Sequence, residues 1–232
     1  MSATLDPATA LVLIDLQHGI TALPTAHPSE QILARCARLA DAFRANGKLV
    51  AATRVTFARD GGDVIKTRTA ESPADVKPVP DYGELRAEIG LSDGDMLITK
   101  HGWSAFYGTE FDLELRRRKV TGIVLAGIST SIGVESTARA ANERGYELTI
   151  VTDAITDTDE GAHLNSLRAI FPQIAELATT EEVLTALRAS IAPTGPKTCS
   201  PLSNREMSTE SRSGLRAQSK NISASRNCRN GQ

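Results

Sequence analysis

Short apolar runs alternate with longer amphipathic ones along the first 192 residues of this 232-residue chain. Runs of strand length fall at 10–14 (ALVLI), 49–53, 96–99, 122–128, 148–151 and 174–178. They are near-continuously hydrophobic rather than alternating, which predicts strands covered on both faces, as in a parallel sheet. Helical periodicity fills the intervals at 30–46, 82–89, 109–118, 131–144, 161–171 and 181–190. Gly47, Gly90, Gly122 and Gly145 stand near the predicted helix ends, where a residue with positive φ is favoured. Six strands alternating with helices imply right-handed crossovers and an α/β fold, a three-layer α/β/α sandwich around a six-stranded, mainly parallel, Rossmann-like sheet. Such an order leaves Asp15, Arg54, Lys100 and the segment 127–131 at strand ends, free to converge on one edge.

The pattern stops near Ala192. Residues 193–232 have no periodic apolar face and are rich in Ser, Asn, Arg, Thr, Pro and Gly. With seven Lys or Arg and two Asp or Glu, this segment carries 7 − 2 = +5, leaving −2 − 5 = −7 for the remainder. The expectation is one domain over 1–192 and a disordered basic tail over 193–232, either solvated or binding something acidic. Residues 55–80 form a long polar stretch containing Gly61, Gly62, Pro73, Pro78 and Pro80, suited to a lid, a binding loop or a subunit contact.

Composition narrows the partners. A net charge of −2 and 41% hydrophobic content argue for a soluble cytoplasmic protein and against a nucleic-acid or membrane partner. No apolar run approaches the roughly 18 residues of a membrane span. The residues 1–9 hold Asp6 and no basic side chain, so they do not read as a secretory signal. Cys36 lies on the apolar face of the helix predicted over 30–46 and reads as a small buried side chain; Cys199 and Cys228 fall in the tail. His18, His27, His101 and His163 show no paired metal spacing, and no phosphate loop or G-x-S-x-G elbow occurs, so no metal and no cofactor is expected.

The candidate chemistry sits at strand ends. Asp15 follows LVLI, where partial desolvation raises a carboxyl pKa, so it is either a general acid or base or a helix cap. Lys100 follows MLIT and either partners that acid or is simply solvated. After the strand at 122–128, Ser129, Thr130 and Ser131 lead into a helix whose first N–H groups suit an anion. Gly133 and Ile132, the latter a candidate substrate contact, lie in that first turn; Gly there either leaves room for a substrate or is merely tolerated. Trp103 and Phe106, in the aromatic loop after Lys100, either wall a pocket or pack onto the next helix. Arg54, Arg59, Lys66 and Arg68 either clamp a carboxylate or are simply exposed.

The segments ALVLIDLQ (10–17), Lys100 with SAF (104–106), 127–146 and VTDA (151–154) together resemble the isochorismatase-like cysteine hydrolases over about residues 8–190. The resemblance implies a Rossmann-like sandwich, assembly as a homodimer or larger oligomer, and an Asp–Lys–Cys triad falling on Asp15, Lys100 and position 133. It also implies a non-proline cis peptide at Ile128–Ser129. This chain has Gly133 where the family usually has Cys, which puts acyl-enzyme amide hydrolysis in doubt. True isochorismatases are similar in having Gly there, and their chemistry, protonation of a vinyl ether by the aspartic acid followed by water capture, needs no nucleophile. The Tyr that they tend to place four residues earlier is Ser129 here. The expected function is hydrolysis of a small carboxylated substrate such as isochorismate, with a non-catalytic binding role or an amidase-like activity as alternatives.

Overall fold

A computed structural model of the chain describes residues 3–65, 67–68 and 81–189. The basic segment 193–232 with Cys199 and Cys228, together with Lys66, Pro73, Pro78, Pro80 and Ser190, lies outside the described residues.

The elements run β1 (Thr9–Ile14), α1 (His18–Thr21), α2 (Ser29–Ala45), β2 (Val50–Val55), β3 (Met96–Lys100), α3 (Phe111–Arg117), β4 (Gly122–Ile128), α4 (Glu135–Asn142), β5 (Glu147–Thr156), α5 (Glu160–Asn165), β6 (Glu176–Ala178) and α6 (Thr180–Ala189). All neighbouring strands pair in parallel, in the order β3-β2-β1-β4-β5-β6. The strand order therefore reverses between β1 and β4, the place where open sheets of this kind form a crevice at their carboxyl edge.

Alternation along β1 shows why its run is continuously apolar. Leu11 and Leu13 enter the layer formed by α2 and α6, with Ile32, Leu39, Phe43 and Val183. Ala10, Val12 and Ile14 enter the opposite layer, with Phe111 and Leu115 of α3 and Ala138 and Ala141 of α4. Both faces of the central strands are thus covered by helices, and every residue of β1 and β4 is buried, whereas Leu97 on the edge strand β3 and Leu177 on the edge strand β6 are exposed. Among the described residues no helix is long and apolar enough to cross a membrane.

Two sequence expectations change. The helix expected over 82–89 is mostly extended: Leu85 forms an antiparallel bridge with Gln17, and only Ala87–Ile89 makes a helical turn, of 3₁₀ type. The reason is local competition, since His18 N–H and Gly19 N–H donate to Glu84 O and Tyr82 O, and Arg86 N–H donates to Leu16 O. The strand expected over 148–151 continues to Thr156, because its second half pairs with the end of β4 after a register shift between Leu125 and Gly127.

That irregularity brings Gly127 against β1. Its φ is +126°, and a Cβ there would lie 2.2 Å from the Ile14 carbonyl oxygen. Only glycine meets both conditions. Gly127→Ala is expected to destabilise the fold by about 3 kcal/mol or more, the sum of a forbidden backbone conformation and an immovable backbone clash. Urea denaturation followed by circular dichroism measures this as a lower midpoint at unchanged slope.

Candidate active site

Asp15 is the first residue beyond β1 and adopts a left-handed conformation, φ 51°, that turns its carboxyl out of the strand direction. It is 5% exposed. Lys100, last in β3 and 2% exposed, reaches past the intervening β2 to place Nζ 2.7 Å from Asp15 Oδ2. Two strand spacings are roughly 10 Å, which an extended lysine arm and a turned aspartate can bridge. Nζ also donates to Gly102 O at 3.0 Å. The strand between them contributes Thr53, whose hydroxyl donates to Asp15 Oδ1 at 2.7 Å and accepts from the Asp15 N–H at 3.2 Å.

Burial pushes the Asp15 carboxyl above its ordinary range. The Lys100 charge, the Lys100 hydrogen bond and the Thr53 hydrogen bond all oppose that rise without cancelling it. The result is a carboxyl group that holds its proton unusually well for a residue in an ion pair.

The turn after β4 supplies the third component. A cis peptide joins Ile128 and Ser129, and a wide π-type turn over Thr130–Val134 leads into α4. Gly133 is buried there. A Cβ on Gly133 would lie 3.3 Å from Asp15 Oδ2 and 2.8 Å from Ile14 Cγ2. The missing side chain therefore admits the Ile14 methyl group and lets the Asp15 carboxyl approach the turn. Position 133 is a close contact, rather than the open hollow that the sequence suggested.

The remaining candidates divide. Ser129 is half-buried in extended conformation and its carbonyl accepts from the Ile132 and Val134 N–H groups, at 3.3 and 3.0 Å. Ile132 is exposed beside Gly133. Ser131 does not offer its groups to a ligand: both its N–H and its hydroxyl donate to Asp157 Oδ2, at 2.6 and 2.8 Å. Arg54 alternates with Thr53 along β2, so its side chain leaves the opposite face of the sheet, where Nε donates to Thr99 Oγ1 at 3.1 Å. Phe106 is a core residue, packed against Phe111 with ring centroids 4.9 Å apart and covered by the Arg144 guanidinium. Trp103, by contrast, is 65% exposed.

Several residues near the site were not read from the sequence. Gln17, fully buried, donates to Val55 O and Tyr82 O at 2.9 and 2.8 Å and accepts from the Val55 N–H at 2.8 Å, tying the end of β1 to two other segments. The ring of Tyr82 fills the space over Gly19, and burial with the nearby Asp15 charge raises its phenol pKa. Thr53 had a visible signal, a hydroxyl at the carboxyl end of an apolar run. Among the described residues no group of three or more His, Cys, Asp or Glu could hold a metal ion, and the described cysteine, Cys36, is buried with Sγ 3.7 Å from Ala154 O.

A cavity of about 540 Å³ lies at the amino edge of the sheet, lined by Asp6, Thr9, Gly122, Tyr146, Glu147 and Glu176 among others. It is at the far end of the strands from Asp15 and Lys100. Its walls combine carboxylates and hydroxyls with the apolar Leu5, Ile123, Leu148 and Ile174, and neither residue of the ion pair is among them.

The isochorismatase domain model matches residues 9–182. The chain is 44% identical over 183 residues to the uncharacterized isochorismatase family protein YecD of Escherichia coli O157:H7, covering 77% of this chain and 96% of that one. It is 26% identical over 203 residues to an N-carbamoylsarcosine amidase of an Arthrobacter species, covering 82% and 76% respectively. A solved isochorismatase family protein from Burkholderia thailandensis superposes with a TM-score of 0.78 at 40% identity, over 81% of this chain and 100% of that one. With an acid, a lysine and a helical turn brought together at the switch point of a parallel sheet, the chain belongs to the isochorismatase family.

Proposed function

We propose that this isochorismatase-family hydrolase cleaves a small vinyl ether bearing a carboxylate, of which isochorismate is the type, without a covalent enzyme intermediate. The observation that carries the reading is the Asp15 carboxyl. It is buried, raised in pKa, paired with Lys100 at 2.7 Å, and set against a glycine instead of a nucleophile.

In this scheme protonated Asp15 transfers its proton to the terminal carbon of the enol ether, and the C=C electron pair forms the new C–H bond. The ether oxygen stabilises the resulting oxocarbenium ion. Water adds to the cationic carbon and returns a proton to Asp15. The hemiketal then collapses to a 2-oxo acid and the alcohol, consuming one water overall. Lys100 and Thr53 keep the carboxyl aimed and stabilise the carboxylate that exists while the cation lives. The oligomer, homodimer or larger, and a cytoplasmic setting are part of the same reading, supported by the family alone.

Amide hydrolysis is a second reading, supported by the N-carbamoylsarcosine amidase relative. It requires a nucleophile, and Gly133 offers none beside Asp15. The pH dependence separates the two. An acid-dependent reaction runs fastest below the raised Asp15 pKa and declines as pH climbs through it, whereas use of the Asp15 carboxylate as a base gives the opposite slope.

Asp15→Asn is expected to lower kcat on isochorismate by about 10²–10⁴-fold, read by release of the 2-oxo acid. Full turnover by that variant would end the mechanism. Lys100→Met leaves the Asp15 carboxyl without its opposing charge, which raises its pKa further. The falling limb of the pH–rate profile then moves to higher pH. Folded protein then binds the Asp15 proton more tightly than the unfolded chain, so stability is highest at low pH and is lost as pH rises from the ordinary carboxylate range to the raised value. A cost of about 3–5 kcal/mol above that window is expected, and thermal melts at pH 5 and pH 8 read the difference.

Gly133→Ala adds a methyl group between Ile14 and Asp15. Overpacking costs about 1–3 kcal/mol and outweighs the gain of about 1 kcal/mol in helix propensity. A lower melting temperature and at least a tenfold loss of turnover are expected. Unchanged values for both would show that the glycine is incidental.

A further inference from the structure

We propose that Asp157 is a positioning residue for this site, the anchor that fixes the Thr130–Val134 turn and, through it, holds Gly133 against the Asp15 carboxyl. The inference rests on the reading that this turn and Asp15 form the reactive site.

Asp157 follows β5 directly and is 1% exposed. Its Oδ2 accepts from the Ser131 N–H at 2.6 Å and the Ser131 hydroxyl at 2.8 Å, and its Oδ1 accepts from the Thr158 N–H at 2.8 Å. Its own carbonyl accepts from the Ala26 N–H at 2.8 Å, which ties the same residue to the segment preceding α2. A carboxylate buried this completely is stable only when its oxygens are hydrogen-bonded, and here its strongest donors belong to the turn.

Two neighbouring contacts share the load. The Thr130 hydroxyl and His163 Nδ1 lie 2.8 Å apart in a buried contact, and the Ser166 hydroxyl donates to Glu135 Oε2 at 2.6 Å. Both of these grip side chains. The Asp157 contact grips the main chain two residues before Gly133, and the Ile132 and Val134 N–H groups turn inward to Ser129 O. The backbone of this turn is therefore referenced to β5 through one carboxylate. Asp157 faces Ser131, and it is absent from the groups that act on the Asp15 carboxyl. Its influence on the chemistry passes through the position of the turn.

The test uses the full chain with Asp157→Ala, which removes both bonds to Ser131, and Asp157→Asn, whose carbonyl oxygen still accepts the Ser131 N–H. On isochorismate, Asp157→Ala is expected to lose about 10–100-fold in kcat with KM within about threefold, because a displaced turn spoils alignment more than binding. Asp157→Asn is expected to recover to within about fivefold of wild type. A cooperatively melting Asp157→Ala variant with wild-type kcat overturns the proposal, and so does an Asn variant as impaired as the Ala one. Two readouts are independent of turnover: hydrogen exchange of the 130–134 amides and titration of the Asp15 carboxyl by carbon NMR. Asp157→Ala is expected to speed that exchange at least tenfold and to shift the Asp15 titration. If wild type leaves every vinyl ether intact, the functional reading fails, and these two measurements still decide the anchor. An unmoved Asp15 titration overturns it. Should Asp157→Ala fail to fold, the Asn variant decides by exchange, where at least threefold acceleration is expected and none overturns the proposal.

Discussion

The ion pair between Asp15 and Lys100 is the constraint around which the carboxyl edge of this sheet is organised. Neither partner is sequence-local to the other, and a third strand lies between them. A charge pair with 5% and 2% exposure carries a desolvation cost that its attraction offsets only when the geometry is good and the remaining lone pairs are met. Thr53 and the Gly102 carbonyl meet that condition on either side. Burial outweighs the lysine charge and the two hydrogen bonds, so the carboxyl pKa stands above its ordinary range, the direction that would suit the proposed proton donor.

Close packing, rather than an empty pocket, then sets what can stand beside that acid. Gly127 lets β4 lie against the Ile14 carbonyl, and Gly133 lets the turn after β4 lie against the Ile14 methyl group and the Asp15 carboxyl. One residue of β1 thus touches two glycines of the neighbouring segment, so the alignment of acid and turn is a backbone property. The Gln17 amide and the Asp157 carboxylate extend the same logic outward, each using a buried polar side chain to fix main chain at or beyond a strand end.

Much of this was legible in the sequence. The uninterrupted apolar run ending in Asp15 marks a strand buried on both faces, which removes the alternation that an exposed face would leave. The run ending in Lys100 forms the edge strand β3, where Leu97 is exposed and burial alternates. The family resemblance added the cis peptide at Ile128–Ser129, which is present. What periodicity could not show is orientation. Arg54 and Thr53 are adjacent in sequence, and only the register of β2 decides that the threonine faces the acid while the arginine faces away. Phe106 sits in an aromatic loop beside Lys100 yet turns into the helix layer, where Phe111 and Arg144 enclose it. Asp157 escaped because β5 was ended too early, at a point where the polar Thr152 and Asp153 interrupt an apolar run that the sheet nevertheless continues. The segment at 82–89 has helical spacing, but its Tyr82 and Glu84 carbonyls accept from the Gly19 and His18 N–H groups and its Arg86 N–H donates to Leu16 O.

The left-handed backbone of Asp15 has an engineering consequence. An aspartate tolerates φ near 51° far better than a β-branched or bulky residue does, and it reaches Thr53 and Lys100 from there. Libraries aimed at new substrates should therefore leave residues 14–17, 127–131 and 133 fixed. Diversity belongs in the exposed side chains at the rim, Trp103, Tyr107 and Ile132, where a change of shape leaves the buried hydrogen-bond geometry untouched.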